Sequence, residues 1–320
     1  MNILAVVVRY QMPLAESPTM QGLCDALSSQ SELAQGYTVM VWDNSPEALV
    51  SLQLAIPILY WHSKANLGVS SAYNGAMEYA LEHGYPWMLL LDQDTKITRG
   101  FLLTMLKHCM DLLLRLEIAA IAPTVRAGKS VISPCQQVFG LIDRVRNYPE
   151  GESGIAPGEA TAINSGSIMR VASLKAIGGF SSDFWLDYSD VYVFHQLFIH
   201  GMKVWRVADA ELEHDLSIMD YDRLMTPWRY RSLSCAETAF NDLYKGGIKN
   251  AAQTLRLVAR AIKQQIKCDN PEFSRITWDQ LKYRLRVPRA ERIARWFEDG
   301  KKRATQPAER TSEMGRPILQ

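Results

Sequence analysis

The sequence predicts an α/β protein with a mixed, mostly parallel sheet covered by helices on both faces, and three observations lead to this fold class. Short apolar runs without polar alternation, typical of strands buried on both faces, occupy residues 3–8, 37–42, 56–61 and 87–91. Segments with apolar residues at helical spacing, residues 17–29 and 69–82, lie between these runs. Polar turn clusters, such as residues 43–46, follow the apolar runs. The order β-α-β-β-α-β favours parallel pairing.

The rest of the chain continues this alternation less regularly. We predict helices at residues 98–116, 171–177 and 191–200, and strands at residues 118–125, 162–170 and 203–207. Residues 126–160 form an irregular insertion, and the chain is helical and basic from residue 228. We therefore expect a catalytic domain at 1–220, a basic helical region at 221–303, and a disordered tail at 304–320.

Composition limits the cellular setting. Five scattered cysteines without a C-x-x-C pair predict a reduced, cytoplasmic protein that lacks a zinc site. No apolar run approaches the roughly 18 to 20 residues that span a bilayer. The net charge is only +1, but residues 229–303 hold 18 Lys and Arg against 8 Asp and Glu. This asymmetry predicts that the basic region meets an anionic partner.

Two carboxylates follow the predicted strand at residues 87–91. Residues 88–91 run directly into Asp92-Gln93-Asp94. Ligands of open α/β sheets bind beyond the carboxyl ends of the strands, and carboxylate and phosphate oxygens suit Mg²⁺ or Mn²⁺. We therefore predict that Asp94 and Asp92 hold Mg²⁺ or Mn²⁺ against the diphosphate of a nucleotide sugar, with Asp92 also able to reach sugar or ribose hydroxyls. The alternative is an ordinary solvated acidic turn.

Polar residues at two other strand ends are candidates for donor binding. Asp43 and Asn44 could contact a base or ribose, although a plain Asx turn fits the same residues. Asn66, Gly68 and Asn74 lie around the start of the next predicted helix, whose N-terminal amides favour a phosphate. The alternative is that the glycines here serve turn and packing needs.

An aromatic stretch contains the two candidates for a general base, Asp187 and Asp190. Transfer with inversion needs a base that takes the proton of the acceptor hydroxyl. Neighbours such as Trp185 and Tyr188 desolvate a carboxylate and raise its pKa, whereas the first turn of a helix lowers it. The sequence does not decide which effect is larger, and helix capping is an alternative role for Asp190.

His214 is a third candidate ligand. It follows the last predicted strand and could bind the metal or the diphosphate, although a lone histidine more often has a structural role.

The basic region contains two amphipathic segments. Leu255, Val258, Ala259, Ile262 and Ile266 share one helical face opposite cations, and residues 292–303 show a similar pattern. Such helices either lie on an anionic membrane surface or pack on the catalytic domain, and both alternatives stay open. Nucleic acid is a poorer partner, because no recognised binding motif accompanies the charge.

Taken together, these motifs resemble the family 2 glycosyltransferases of the GT-A fold, in particular the rhamnosyltransferase-like branch. The resemblance runs from residue 3 to about 216. The stretches that carry it are V-W-D-N-S at 41–45, N-L-G at 66–68, A-Y-N-G at 72–75, L-L-L-D-Q-D-T at 89–95, I-N-S-G-S at 163–167, G-G-F at 178–180 and F-W-L-D-Y-S-D at 184–190.

The resemblance assigns further expected roles. It implies donor-side or acceptor-side contacts for six residues: Arg9, Tyr10, Gln93, Ser165, Gly166 and Trp185. It also implies that Asp190 is the base, with Asp187 as its rival, and that His214 is a late metal or phosphate ligand. The chain departs from the family pattern at Ser189, where glutamate is common, and at Tyr192, which replaces an acid.

We therefore expect an inverting, metal-dependent glycosyltransferase at the inner face of the cell membrane. Its donor is dTDP-rhamnose or another nucleotide sugar, with UDP- or GDP-sugars as alternatives, and its acceptor is a saccharide or a lipid-linked oligosaccharide. The departures near Asp190 also suit a non-catalytic homologue that binds a nucleotide sugar or polysaccharide. A nucleotidyltransferase fits less well, because the loop at residues 9–13 contains no glycine.

Overall fold

A computed structural model describes residues 1–28, 32–49, 53–138, 144–213 and 225–305, and it confirms the α/β class. The strands are β1 (Ile3–Arg9), β2 (Tyr37–Asp43), β3 (Ile58–His62), β4 (Trp87–Asp92), β5 (Ile118–Ala127), β6 (Ser130–Ser133), β7 (Cys135–Val138), β8 (Arg144–Asn147), β9 (Gly154–Ile155), β10 (Glu159–Thr161), β11 (Ile168–Arg170) and β12 (Lys203–Glu213). The helices are α1 (Pro18–Leu27), α2 (Glu32–Gln35), α3 (Gly68–Glu82), α4 (Arg99–Asp111), α5 (Val171–Ala176), α6 (Ser189–Ile199), α7 (Pro227–Tyr244), α8 (Gly247–Lys267), α9 (Pro271–Arg286) and α10 (Arg289–Thr305).

The main sheet is mixed and mostly parallel, as predicted. Its order is β3-β2-β1-β4-β11-β5-β12-β9, and β6 pairs with β5. Strands β1 to β4 are parallel to one another, and β12 is parallel to β5. Strand β11 runs antiparallel to both β4 and β5, so those two strands point the same way. The carboxyl ends of the parallel strands therefore meet at one edge, where Asp43 and Asp92 end β2 and β4.

Helices cover both faces of this sheet because its central strands are apolar on both sides. In β1, Ile3, Ala5 and Val7 join one buried cluster, whereas Leu4, Val6 and Val8 join the other. The first cluster includes residues of α1 and α4, and the second includes residues of α3, α5 and α6. Burial of a side chain of this size stabilises the fold by about 1.5–3 kcal/mol, so these two layers fix the sheet edge firmly.

Three element boundaries differ from the predictions by more than two residues. Helix α4 ends at Asp111 instead of 116, and the guanidinium of Arg170 accounts for this end by donating to the carbonyl groups of Leu112, Leu113, Arg115 and Ile118. Strand β11 covers only the end of the predicted strand 162–170, because a turn with Gly166 at φ +88° precedes it. Strand β12 continues to Glu213, with an irregular register between Val207 and Glu211.

The chain forms two compact units. The first is centred on Met1–Gln136 with Arg146–His214, and the second on Asp215–Ala304 with Gln137–Val145. The second unit contains α7 to α10, and buried ion pairs stabilise its interior. The carboxylate of Asp242 accepts hydrogen bonds from Arg284 at 2.8 Å and from Arg292 at 2.7 Å. Part of the predicted cationic excess is therefore internal. None of the described helices is long and apolar enough to cross a bilayer.

Candidate active site

The loop that carries Asp92 and Asp94 is held by hydroxyl groups from two other segments. The backbone N–H of Asp92 donates to the hydroxyl of Ser165 at 3.0 Å. The hydroxyl of Thr19 donates to the carbonyl oxygen of Asp92 at 2.5 Å and accepts the N–H of Thr95 at 2.9 Å. The hydroxyls of Thr95 and Ser165 lie 2.5 Å apart. These bonds fix the backbone on both sides of the acidic pair and so preorganise the two carboxylates.

Gln93, between the two acids, holds the same loop against the residue after β1. The N–H of Tyr10 donates to its Oε1 at 2.8 Å, and its Nε2 donates to the carbonyl oxygen of Tyr10 at 3.3 Å. The hydroxyl of Ser17 donates to the backbone carbonyl of Gln93 at 2.5 Å. The glutamine amide thus has a positioning role within the protein, and this role explains its presence without a contact to sugar.

The acidic pair fits a small divalent cation. Asp94 is exposed and Asp92 is half-buried, so both lie near the mouth of the site. Within the described residues there is no group of three or more histidine, cysteine or acidic side chains placed to hold a metal ion. Mg²⁺ and Mn²⁺ are satisfied by one or two carboxylates, waters and substrate phosphates, so two hard oxygen ligands suffice. The candidate ligand His214 lies outside the described residues.

The end of β2 forms a buried network around Asp43, which is completely buried. One carboxylate oxygen accepts hydrogen bonds from Arg9 and, at 2.6 Å, from Tyr60, and the other accepts the N–H of Ser45 at 2.9 Å. The hydroxyl of Ser45 also accepts from Arg9 at 2.9 Å and from the N–H of Gln11 at 2.8 Å. Both oxygens of Asp43 are thus engaged with the protein. The predicted contact to a base stays a prediction, and the observed role of Asp43 is to hold the β1 and β2 ends together.

The start of α3 is pressed against the segment that carries Trp185. Gly68 has φ +77°, and a Cβ atom there would lie 2.1 Å from the backbone oxygen of Trp185. The side chain of Asn66 accepts the N–H of Gly68 at 3.1 Å, and Asn44 donates to the carbonyl oxygen of Gly68 at 3.1 Å. The N–H of Ser70 donates to the Trp185 carbonyl at 3.2 Å. Glycine is therefore required both by the left-handed backbone and by the close approach.

Asn74, further along α3, makes a reciprocal pair with the G-G-F turn. Its Nδ2 donates to the carbonyl oxygen of Phe180 at 2.8 Å, and its Oδ1 accepts the N–H of Phe180 at 2.8 Å. Because these bonds occupy both ends of the amide, Asn74 positions the segment that leads to Asp187 and Asp190. The predicted donor contact of Asn74 is not tested by this geometry.

The segment containing the two base candidates has an unusual backbone. Tyr188, the N-cap of α6, has φ 65°, a left-handed conformation that bulky residues seldom adopt. Asp187 is buried before it, and Asp190 is half-buried in the first turn of α6 after it. Asp190 accepts the N–H of Val191 at 2.8 Å, so it is not the N-cap that the sequence allowed. Such strain is commonly concentrated at active sites.

The pKa of Asp190 is raised from 3.8 to about 6. Burial is the largest cause, the hydrogen bond from Val191 opposes it, and the negative charges of Asp92 and Asp187 raise the pKa further. The effect of burial on the pKa of Asp190 is therefore larger than the effects that lower this pKa, a comparison that the sequence alone did not decide. A carboxyl group that titrates near neutral pH is suited to general base catalysis.

Tyr73 is a site residue that the sequence did not identify as one. It is fully buried on α3, and its hydroxyl has no hydrogen-bond partner among the described atoms. Burial raises its pKa well above 10, and the charges of Asp92 and Asp190 add to this effect. Its position inside the A-Y-N-G stretch at 72–75 was visible, but its apolar-face spacing on α3 is equally typical of a core residue.

Ser165 and its neighbours connect the acidic loop to α6. Asn164 donates to the hydroxyl of Ser189 at 3.0 Å, and the N–H of Gly166 donates to the carbonyl oxygen of Leu90 at 2.7 Å. The structure thus brings the predicted residues Asp92, Ser165 and Asp190 into one continuous assembly at the carboxyl edge of the sheet.

No family model matches the sequence. The chain is 26% identical over 225 residues to the galactofuranosyltransferase GlfT1 of Mycobacterium tuberculosis, and the match covers 67% of this chain and 70% of that protein. Its fold is similar to the crystal structure of S. aureus TarS, with a TM-score of 0.47 and 15% identity over 97% of this chain. It is also similar to GalNAc-T7 solved with UDP, GalNAc and Mn²⁺, with a TM-score of 0.47 and 10% identity over 84% of this chain. The chain spans about half of the TarS chain, at 50%, and 58% of the GalNAc-T7 chain.

The sequence similarity to GlfT1 supports a transferase that acts on sugars. It leaves the predicted rhamnosyltransferase branch unconfirmed.

Proposed function

We propose that this protein is an inverting, metal-dependent glycosyltransferase that moves a sugar from a nucleotide donor to a saccharide or lipid-linked acceptor at the inner face of the cell membrane. One observation carries the proposal: Asn164 and Ser165 connect the acidic loop to the first turn of α6, where Asp190 lies. The hydroxyl of Ser165 accepts the N–H of Asp92 at 3.0 Å, and Asn164 donates to the hydroxyl of Ser189 at 3.0 Å. A base is thus adjacent to a candidate metal and diphosphate site. The similarity to GlfT1 supports the same class of reaction.

The proposed reaction needs one proton transfer by the protein. Asp190 removes the hydroxyl proton of the acceptor as that oxygen bonds to the anomeric carbon. The bond from the anomeric carbon to the donor diphosphate breaks at the same time, and the diphosphate leaves with the electron pair. Attack from the face opposite the leaving group inverts the anomeric centre.

In this scheme the acids at the end of β4 would bind the leaving group through a divalent cation. Asp94, which is exposed, and Asp92 would hold Mg²⁺ or Mn²⁺. When bound, the cation supplies Lewis-acid stabilisation of the charge that develops on the diphosphate. Thr19 and Ser165 keep the acidic loop in place before the donor arrives, and such preorganisation lowers the cost of stabilising the transition state.

Two donor sugars are candidates, and different observations support them. The D-Q-D motif resembles that of rhamnosyltransferases and supports dTDP-rhamnose, but Gln93 is engaged with Tyr10, which weakens this support. The similarity to a galactofuranosyltransferase supports a nucleotide-activated galactofuranose instead.

A donor screen by thermal shift tests the proposal. The full chain is heated with Mn²⁺ and a panel of UDP-, GDP- and dTDP-sugars that includes both candidates. A ligand at about 100 times its Kd stabilises the folded state by about 2.7 kcal/mol, which is readily seen as a higher Tm. We expect one donor to give this shift only with Mn²⁺, and a chain stabilised by no donor would contradict the proposal. Donor binding without release of nucleotide would favour a non-catalytic homologue.

A further inference from the structure

Helix α8 presents an apolar stripe to solvent along its whole length. Four branched side chains are strongly exposed, namely Ile248 at 69%, Leu255 at 66%, Ile262 at 46% and Ile266 at 78%. Their spacing of seven, seven and four residues places them on one face, and the exposed Ala251 and Ala259 lie between them. The helix has 21 residues and is therefore about 30 Å long, so the stripe is continuous over a large distance.

The opposite face of α8 explains why the stripe points outward. This face is the one buried in the second unit, and it includes the polar side chains of Gln253 and Gln264. Gln253 donates to Glu237 of α7 at 3.0 Å, and Gln264 accepts from Thr277 of α9 at 2.6 Å. Hydrogen bonds therefore anchor the helix through its buried face, and its apolar face is exposed to solvent. Packing among the described residues does not account for the stripe.

The charge of α8 is entirely positive. The helix contains five basic residues, Lys249, Arg256, Arg260, Lys263 and Lys267, and no Asp or Glu. Arg260 forms an ion pair with Glu237, but Lys263 and Lys267 are exposed, and each directly follows a residue of the stripe. The cations follow one flank of the stripe, at the boundary between its apolar face and the buried face.

We propose that this stripe docks on the anionic surface of a lipid membrane. A helix that lies in the interface buries its apolar side chains among acyl chains while Lys side chains reach the headgroups. Antiparallel pairing of two copies through the stripe would instead bring two rows of like charge to the same side of the seam. The positive flank thus favours an anionic lipid over a second copy of this chain, and the inference does not depend on transferase activity.

Vesicle flotation of the full chain tests this assignment. The probes are vesicles of phosphatidylcholine alone and vesicles that also contain phosphatidylglycerol. One variant carries Leu255→Gln and Ile262→Gln, and a second carries Lys263→Gln and Lys267→Gln. A matched control carries Leu114→Gln and Leu116→Gln, which replace strongly exposed leucines of the first unit. All the replaced residues are exposed, and glutamine is compatible with a helix. The Tm of each variant should therefore equal that of the wild type.

We expect the wild type and the control to float with the anionic vesicles and not with phosphatidylcholine alone. The lysine variant should bind roughly 25-fold more weakly, since each of the two cations near such a surface contributes about a fivefold factor. The stripe variant should lose about 100-fold or more. Flotation of both variants like the wild type would overturn the proposal. So would equal binding to both vesicle types, or sedimentation showing a dimer that only the stripe variant abolishes.

Discussion

Replacement of Asp190 by asparagine should abolish sugar transfer and stabilise the protein at the same time. Asparagine keeps the oxygen that accepts the N–H of Val191 but cannot take a proton. The pKa of Asp190 lies about 2 units above its ordinary value, at about 6. At about 1.4 kcal/mol per unit, the charged carboxylate costs about 3 kcal/mol in the folded state.

The sign of this cost defines a pH window. A carboxyl group with a raised folded-state pKa favours the folded state fully below its unfolded pKa, and this contribution is lost as the pH rises through about 6. The Asp190→Asn variant should therefore gain up to about 3 kcal/mol over the wild type at pH 8, and almost nothing below about pH 4. Urea unfolding at a series of pH values measures this difference.

The kinetic half of the prediction uses the donor that the thermal-shift screen identifies. Wild-type kcat/KM should fall about tenfold per pH unit below about pH 6, and Asp190→Asn should reduce it by roughly 10²- to 10⁴-fold without weakening donor binding. Asp187→Asn is the matched control and should retain turnover. If the Asp190 variant retains activity while the Asp187 variant loses it, the base is Asp187. A variant that is less stable than the wild type at pH 8 would refute the burial argument itself.

Three other substitutions probe the site. Asp94→Asn should raise the Mn²⁺ concentration for half-maximal donor binding about tenfold or more, measured by titration, and an unchanged requirement would remove Asp94 from the metal site. Gly68→Ala should lower the free energy of unfolding by about 2–4 kcal/mol, because a Cβ would lie 2.1 Å from the Trp185 oxygen, and an unaltered urea midpoint would contradict this packing. Asp43→Asn should cost about 3–5 kcal/mol, because Arg9 keeps a buried charge without its partner, and wild-type stability would show that the pair is dispensable.

Local patterns predicted the fold and the acidic loop because both depend on short stretches of sequence. The residues of β4 are apolar on both faces, and the chain has no other simple way to bury them than in the middle of a sheet. The acids that follow β4 then have to lie at the carboxyl edge. The antiparallel direction of β11 was less accessible, because it depends on a turn at Gly166 between distant segments.

Roles that depend on long-range partners could not be predicted. Gln93 was interpreted through the sugar, but its observed partner is the backbone of Tyr10, which lies 83 residues away in the sequence. Two partners of Asp43, Arg9 and Tyr60, likewise lie 34 and 17 residues away in the sequence, and the predicted contact of Asp43 to a base stays a prediction. Whether the pKa of Asp190 is raised by burial or lowered by its place in the first turn of α6 also depends on the three-dimensional surroundings of the carboxyl group.

The exposure of the apolar stripe on α8 is another feature that the sequence alone could not predict. Sequence periodicity identified an apolar face containing Leu255, Ile262 and Ile266, but periodicity alone does not say whether such a face is covered. The hydrogen bonds of Gln253 and Gln264 show which side of the helix is buried.

The most direct test of the central claim is a single-turnover assay with a labelled nucleotide sugar. The full chain, with Mn²⁺ and with EDTA in parallel, is incubated with the donor that stabilises it, water serves as the acceptor of the sugar, and free nucleoside diphosphate is measured. The account predicts release by the wild type with Mn²⁺, none with EDTA, and donor binding without release by Asp190→Asn. Binding of the donor by the wild type with no nucleoside diphosphate released, or release undiminished by EDTA and by Asp190→Asn, would contradict it.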